Sequence, residues 1–80
     1  MSFTDAEKRD LLALKGVGAT VIKRVEELGV GSLAELAEQE PETMTLLISH
    51  MMGSTCWHNS PQARSAIRAM IDLARQRHDG

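Results

Sequence analysis

The chain has 80 residues, a net charge of −2 and a single cysteine. Its length allows one domain with a thin core, and one cysteine excludes an intramolecular disulfide framework. The negative balance counts against a dedicated nucleic-acid-binding protein, because phosphate neutralisation drives such binding and favours a basic chain. Two aromatic residues, Phe3 and Trp57, are too few for a platform that stacks single-stranded bases.

Nothing in the sequence points to a membrane. The first ten residues are polar and charged and lack the apolar region of a signal peptide. Apolar runs such as residues 46–48 are far too short to cross a bilayer. We therefore expect a cytoplasmic protein with no membrane partner.

The first predicted helix begins at Thr4 and ends at Gly16. Thr4 and Glu7 have the spacing of a capping box, in which each side chain accepts from the other residue's amide. A second helix is predicted from about Ala19 to Leu28, with one apolar face and with Gly29 as the left-handed residue after it.

Three further helices follow. Ser32 and Glu35 form a second capping-box pattern, and Pro41 is a favourable first residue for a fourth helix that Gly53 ends. Ser60 precedes Pro61 as N-cap of a long last helix, roughly 61–77, with a continuous apolar face. No run of residues alternates as a strand would. We predict one all-α domain over residues 1–80, with about five short helices.

The segment between the first two helices carries the most specific signal. Gly16-Val17-Gly18 lies between two short amphipathic helices, and its glycines permit backbone angles that a Cβ obstructs. The amides after Gly16 open the N-terminus of the second helix. Such unpaired, aligned N–H groups can hold a phosphate.

This pattern resembles the helix-hairpin-helix (HhH) superfamily over residues 10–37, with the motif itself at residues 11–28. The matching residues are Leu11, Leu14, Gly16, Val17 and Gly18, followed by the exit Leu28, Gly29, Val30, Ser32 and Leu33. The rest of the chain is more loosely similar to small bacterial HhH proteins of the pathogenicity-locus group and to the C-terminal domain of TfoX-type competence regulators. The resemblance implies an orthogonal bundle of the SAM-like or HhH type, and we expect the first two helices to pack under the long last helix.

The resemblance also implies weak, non-sequence-specific contact with a DNA backbone. The residues placed at the hairpin as amide donors or hairpin formers are Gly16, Val17, Gly18 and Ala19. Lys15, Lys23 and Arg24 would supply electrostatic support, although Lys23 has the spacing to pair with Glu26 and Glu27 instead. Thr20 occupies a position where many DNA-binding members carry Lys or Arg, so one expected phosphate charge is missing.

The last helix presents a second basic surface. Arg64, Arg68 and Arg75 fall within about 40° of one another on a helical wheel, opposite the apolar face. This arginine stripe would extend a DNA footprint, or it would be an ordinary solvated face.

Other residue clusters support weaker interpretations. One cysteine and two irregularly spaced histidines, Cys56, His50 and His58, do not meet the needs of a zinc site, so no metal or cofactor is predicted. Cys56 and His58 also lack an orienting carboxylate for nucleophilic catalysis, and Trp57 is expected to plug the core. The methionines would fill the core or form an adaptable surface: Met44, Met51, Met52 and Met70.

We expect a non-catalytic binding domain whose partner is DNA. The alternative is a protein-interaction module, with a homodimer as one form of it, in which the hairpin is purely structural. That alternative follows from the acidic charge, the missing basic residue at Thr20 and the methionine content, and it predicts an exposed apolar patch. An enzyme would depend on Cys56 and His58 alone.

Overall fold

The computed structural model describes residues 3–53 and 59–79, and the secondary structure of these residues is helical. The helices are α1 (Asp5–Leu12), α2 (Ala19–Glu27), α3 (Leu33–Ala37), α4 (Pro41–Met52) and α5 (Pro61–Asp79). The predicted all-α class is confirmed. Across these described ranges, no helix combines the length and apolar character needed to cross a membrane.

The helices begin where the capping patterns predict. The Thr4 amide donates to Oε1 of Glu7 at 3.0 Å, and the Glu7 amide donates back to Oγ1 of Thr4 at 3.2 Å. The Ser32 hydroxyl accepts from the Glu35 amide at 3.2 Å, but among the described residues the Ser32 amide does not donate back to the Glu35 side chain, so the second capping box is half formed. The Ser60 hydroxyl accepts from the Ala63 amide at 3.3 Å. Each cap satisfies an amide that has no acceptor within its own helix.

Two predicted helix ends are confirmed and one is displaced. Gly29 and Gly53 follow α2 and α4 with left-handed φ angles of +95° and +68°. The first helix, however, ends at Leu12 instead of continuing to Gly16. The amides of Leu14 and Val17 bond to carbonyls three residues earlier, so the chain forms two tight turns. Gly16 adopts a φ of +84° within the second turn, where a side chain would be strained.

The long helix α5 forms one wall of the core. Its inner face is buried, as the apolar periodicity predicts. The buried residues of this face are Ala66, Ile67, Met70, Ile71 and Ala74. The sequence suggested that the hairpin pair α1–α2 packs under this helix, but its most extensive contacts are with α3 and then α4. The short helix α3 buries Leu33 and Leu36, which explains why five residues suffice to form a packed element.

Polar side chains connect elements that are distant in sequence. Besides capping α1, Glu7 accepts from the Leu33 amide through Oε2 at 3.0 Å, at the N-terminus of α3. Oε2 of Glu26 accepts from the Phe3 amide at 3.0 Å. Nη2 of Arg77 lies 3.1 Å from Oδ2 of Asp10 and joins the end of α5 to α1. These bonds hold the first two helices, and therefore their connection, in place.

Candidate functional site

The connection between α1 and α2, residues 13–18 and hereafter the hairpin loop, is anchored by one buried side chain. Val17 is only 7% exposed and belongs to the core, whereas Gly16 and Gly18 on either side of it are exposed. Gly18 is the N-cap of α2, with an extended φ of −120° and ψ of 177°. The loop therefore presents its two glycines outward while its central valine faces inward.

The N-terminus of α2 has no cap from a side chain. Gly18 has none to offer, and the first turn contains no acidic residue. The first three helical amides have no acceptor within the helix, and among residues 3–53 and 59–79 none of them has a hydrogen-bond partner. Ala19 and Thr20 are exposed, so their surroundings are open to solvent.

One of the predicted amide donors is not available. The Val17 amide donates to the Leu14 carbonyl at 3.2 Å, because the hairpin loop closes on itself there. Of the two roles offered for Val17, donor or hairpin former, the structure fits the second, since Val17 is a buried anchor and its amide is already bonded. The open amides belong to the start of α2.

The positively charged side chains near the hairpin loop do not form the ion pairs that the sequence predicted. Nη1 of Arg24 contacts both carboxylate oxygens of Glu27, at 3.0 and 3.2 Å, and its buried Nε has no hydrogen-bond partner among the described residues. Arg24 is thus held against its own helix. Lys23 does not pair with Glu26 or Glu27, because both carboxylates have other partners. Glu27 binds Arg24. Glu26 accepts from the Phe3 amide and lies 3.8 Å from Nζ of Lys8.

Two lysines remain available near the open end of α2. Lys15 and Lys23 are exposed, and neither forms an ion pair with any residue in the described part of the chain. Lys15 directly precedes Gly16. Lys23 follows Ala19 by one helical turn, so Lys23 and Ala19 lie on the same side of α2. Lys15 lies in the hairpin loop and Lys23 in α2, so both are close in sequence to the open N-terminus of α2.

The predicted arginine stripe is not continuous. Nε and Nη2 of Arg75 donate to the carbonyls of Ala37 and Gln39, at 3.2 and 3.0 Å, and so bind the C-terminal end of α3. Arg75 therefore has a structural partner, which its wheel position did not indicate. Arg64 and Arg68 instead line a cleft.

This cleft lies between the first turns of α4 and α5 and was not anticipated from the sequence. It is open on one side and has a volume of about 250 Å³. Its lining residues are Pro41, Glu42, Thr45, Pro61, Arg64, Ser65 and Arg68. Nη2 of Arg64 is 3.6 Å from Oε1 of Glu42. The Thr45 hydroxyl is buried and donates to the carbonyls of Pro41 and Glu42, so it stabilises the first turn of α4.

The outer face of α4 is apolar and exposed. The methionines divide between the two roles that the sequence allowed. Met44 and Met70 fill the core, whereas Met51 and Met52 are 38% and 42% exposed. Leu46 and Leu47 are 45% and 44% exposed. The sequence could not show that no other described helix covers these four side chains.

Three residues considered at the sequence level, Cys56, Trp57 and His58, lie outside the described residues. Within the described ranges, no group of three or more His, Cys, Asp or Glu side chains could hold a metal ion. His50 is exposed on α4. Three surface features of the described residues could therefore bind a partner: the hairpin loop, the cleft and the outer face of α4.

Comparison of the chain with protein-family models, curated protein sequences and solved structures finds no match among any of the three.

Proposed function

We propose that this chain is an HhH-type module that binds the DNA backbone at the hairpin loop, without catalysis and with little base preference. The observation that supports this proposal is the uncapped N-terminus of α2, whose first amides follow Gly18 and are exposed beside it. Aligned free amides at the positive end of a helix dipole form a ready site for a phosphate oxygen.

The two unpaired lysines support the same site. Lys15 lies in the loop and Lys23 lies one turn into α2, so two exposed ammonium groups are close in sequence to a phosphate at the helix N-terminus. Contacts of this kind carry no base information, because every nucleotide presents the same phosphate. With Arg24 occupied by Glu27, about two cations contribute, and log K should fall with log salt with a slope of about −2.

Gly18 offers the sharpest test of this site. Its backbone is extended, and no atom lies within 4 Å of the position that a Cβ would occupy, so a side chain fits there. Gly18→Asp places a carboxylate at the N-cap, where it accepts from the same amides a phosphate would use. We expect a more stable protein that has lost most of its DNA affinity. Gly18→Ala adds a methyl group, leaves the amides free, and should keep the affinity.

The measurement is fluorescence anisotropy with two unrelated duplexes, at about 20 and 150 mM salt. Lys23→Ala should weaken binding to both duplexes equally, whereas Arg9→Ala, which removes an exposed charge from α1, should have little effect. Thr20→Lys should strengthen binding by restoring a cation at the hairpin. Equal affinities of Gly18→Asp and Gly18→Ala, or binding that does not respond to salt, would exclude the proposed site.

A second candidate function is self-association through the outer face of α4. Leu46, Leu47 and Met51 share this face with Thr43 and His50 and with no Asp, Glu, Lys or Arg, so two copies would meet without like-charge repulsion between such side chains. Exposed apolar patches of this kind mark interaction sites. Sedimentation over a wide concentration range, comparing the native chain with Leu47→Glu, tests it. A native chain that stays monomeric throughout would exclude this candidate.

A further inference from the structure

The cleft between α4 and α5 lies apart from the hairpin loop in sequence and concentrates positive charge. Arg64 and Arg68 are one helical turn apart on α5, and both line the cleft. Arg68 is exposed and has no ion-pair partner in the ranges 3–53 and 59–79. Two arginines that line one cavity can supply an oxyanion with several charge-assisted hydrogen bonds.

The acidic residue in the cleft is a weak competitor. Glu42 lies 3.6 Å from Arg64, with side chains that are 75% and 50% exposed. An ion pair this open to water contributes little to stability. A ligand that binds Arg64 more strongly can therefore displace the carboxylate.

The ends of two helices add to the positive potential. Pro41 and Pro61 are the first residues of α4 and α5 and both line the cleft. The α4 N-cap, Glu40, makes no side-chain capping bond. Each helix N-terminus acts as roughly half a positive charge. The two arginines, Glu42 and the two helix ends together give the cleft a net charge of about +2; Glu40 does not line it and pairs with Arg75 instead.

We propose that this cleft binds the dianionic phosphate group of a small phosphate monoester. A monoester carries nearly two negative charges at neutral pH and matches the cleft, whereas a phosphodiester or a carboxylate carries only one. The Ser65 hydroxyl is a further donor at the wall. The volume of about 250 Å³ exceeds what a phosphate group needs. The remaining space, bordered by two proline rings, accommodates a small organic part.

The ligand preference can be tested by an NMR titration of the full chain with glycerol phosphate, with dimethyl phosphate as the matched diester. We expect shifts of the cleft residues with the monoester and at least about tenfold weaker binding of the diester. Monoester affinity should fall about five- to tenfold from roughly pH 7.5 to pH 5, because the second phosphate pKa is about 6. Sulfate, which stays a dianion over this range, should bind equally at both pH values.

Variants show whether the arginines form the site. Arg68→Ala should weaken monoester binding about tenfold. Glu42→Gln should tighten it, a gain that a merely structural role would not produce. Arg9→Ala removes the same charge from α1 and should leave affinity unchanged, and so should Gly18→Asp, which tests the hairpin loop separately. Equal binding of monoester and diester, a loss in Arg9→Ala as large as in Arg68→Ala, or no shifts at the cleft would overturn the proposal.

Discussion

Replacement of Arg75 by alanine should destabilise the domain more than its surface position suggests. Its guanidinium donates to two main-chain carbonyls, those of Ala37 and Gln39. A charge-assisted hydrogen bond contributes about 1.5–3 kcal/mol when buried. Because the Arg75 side chain is 41% exposed, we take about 1 kcal/mol for each bond. The 3.6 Å pair with Glu40, whose side chain is 74% exposed, adds almost nothing.

The expected loss is therefore about 2 kcal/mol in the free energy of unfolding. A domain of this size is stabilised by roughly 4–12 kcal/mol, and a loss of about 2 kcal/mol lowers Tm by about 10 °C. Thermal and urea unfolding followed by circular dichroism would measure both quantities. Arg75→Lys should recover less than half of the loss, because an ammonium group cannot reproduce the planar fork of the guanidinium.

Arg77 supplies the matched control, since it lies on the same helix and pairs with Asp10 at 3.1 Å, with side chains 53% and 35% exposed. Arg77→Ala should cost less than about 1 kcal/mol. If Arg75→Ala and Arg77→Ala lowered the free energy of unfolding equally, the main-chain hydrogen bonds of Arg75 would contribute no more than a surface ion pair. Arg75 would then be an ordinary exposed cation, as available to a ligand as Arg77.

Three further predictions concern stability. Glu7→Gln should cost about 1–3 kcal/mol, since each carboxylate oxygen accepts from a different main-chain amide and a carboxamide can satisfy only one; an equal loss in Glu35→Gln would contradict this. Gly16→Ala should cost about 1–2 kcal/mol from its positive φ alone, and a larger loss in Gly18→Ala would refute that cause. Ile67→Ala should cost about 2–5 kcal/mol by leaving a cavity, and urea midpoints would show a much smaller change for the exposed Leu46→Ala.

Local sequence signals were enough to define the helices and most of their ends. Thr4, Ser32 and Ser60 cap helices as predicted, and Gly29 and Gly53 end them. These signals can be read without a fold because the groups that bond lie within one helical turn of each other. The buried face of α5 was equally predictable, since a helix of fixed period brings its apolar residues to one side.

The packing of the helices determined which side chains remain available for binding. Arg75 is held by carbonyls more than 30 residues earlier in the chain, and Arg24, not Lys23, pairs with Glu27. The cleft likewise exists only because the first turns of α4 and α5 meet. A helical pattern states which residues share a face. Whether that face meets a carbonyl, an opposite charge or water depends on how the helices pack, and that arrangement is set by the chain as a whole.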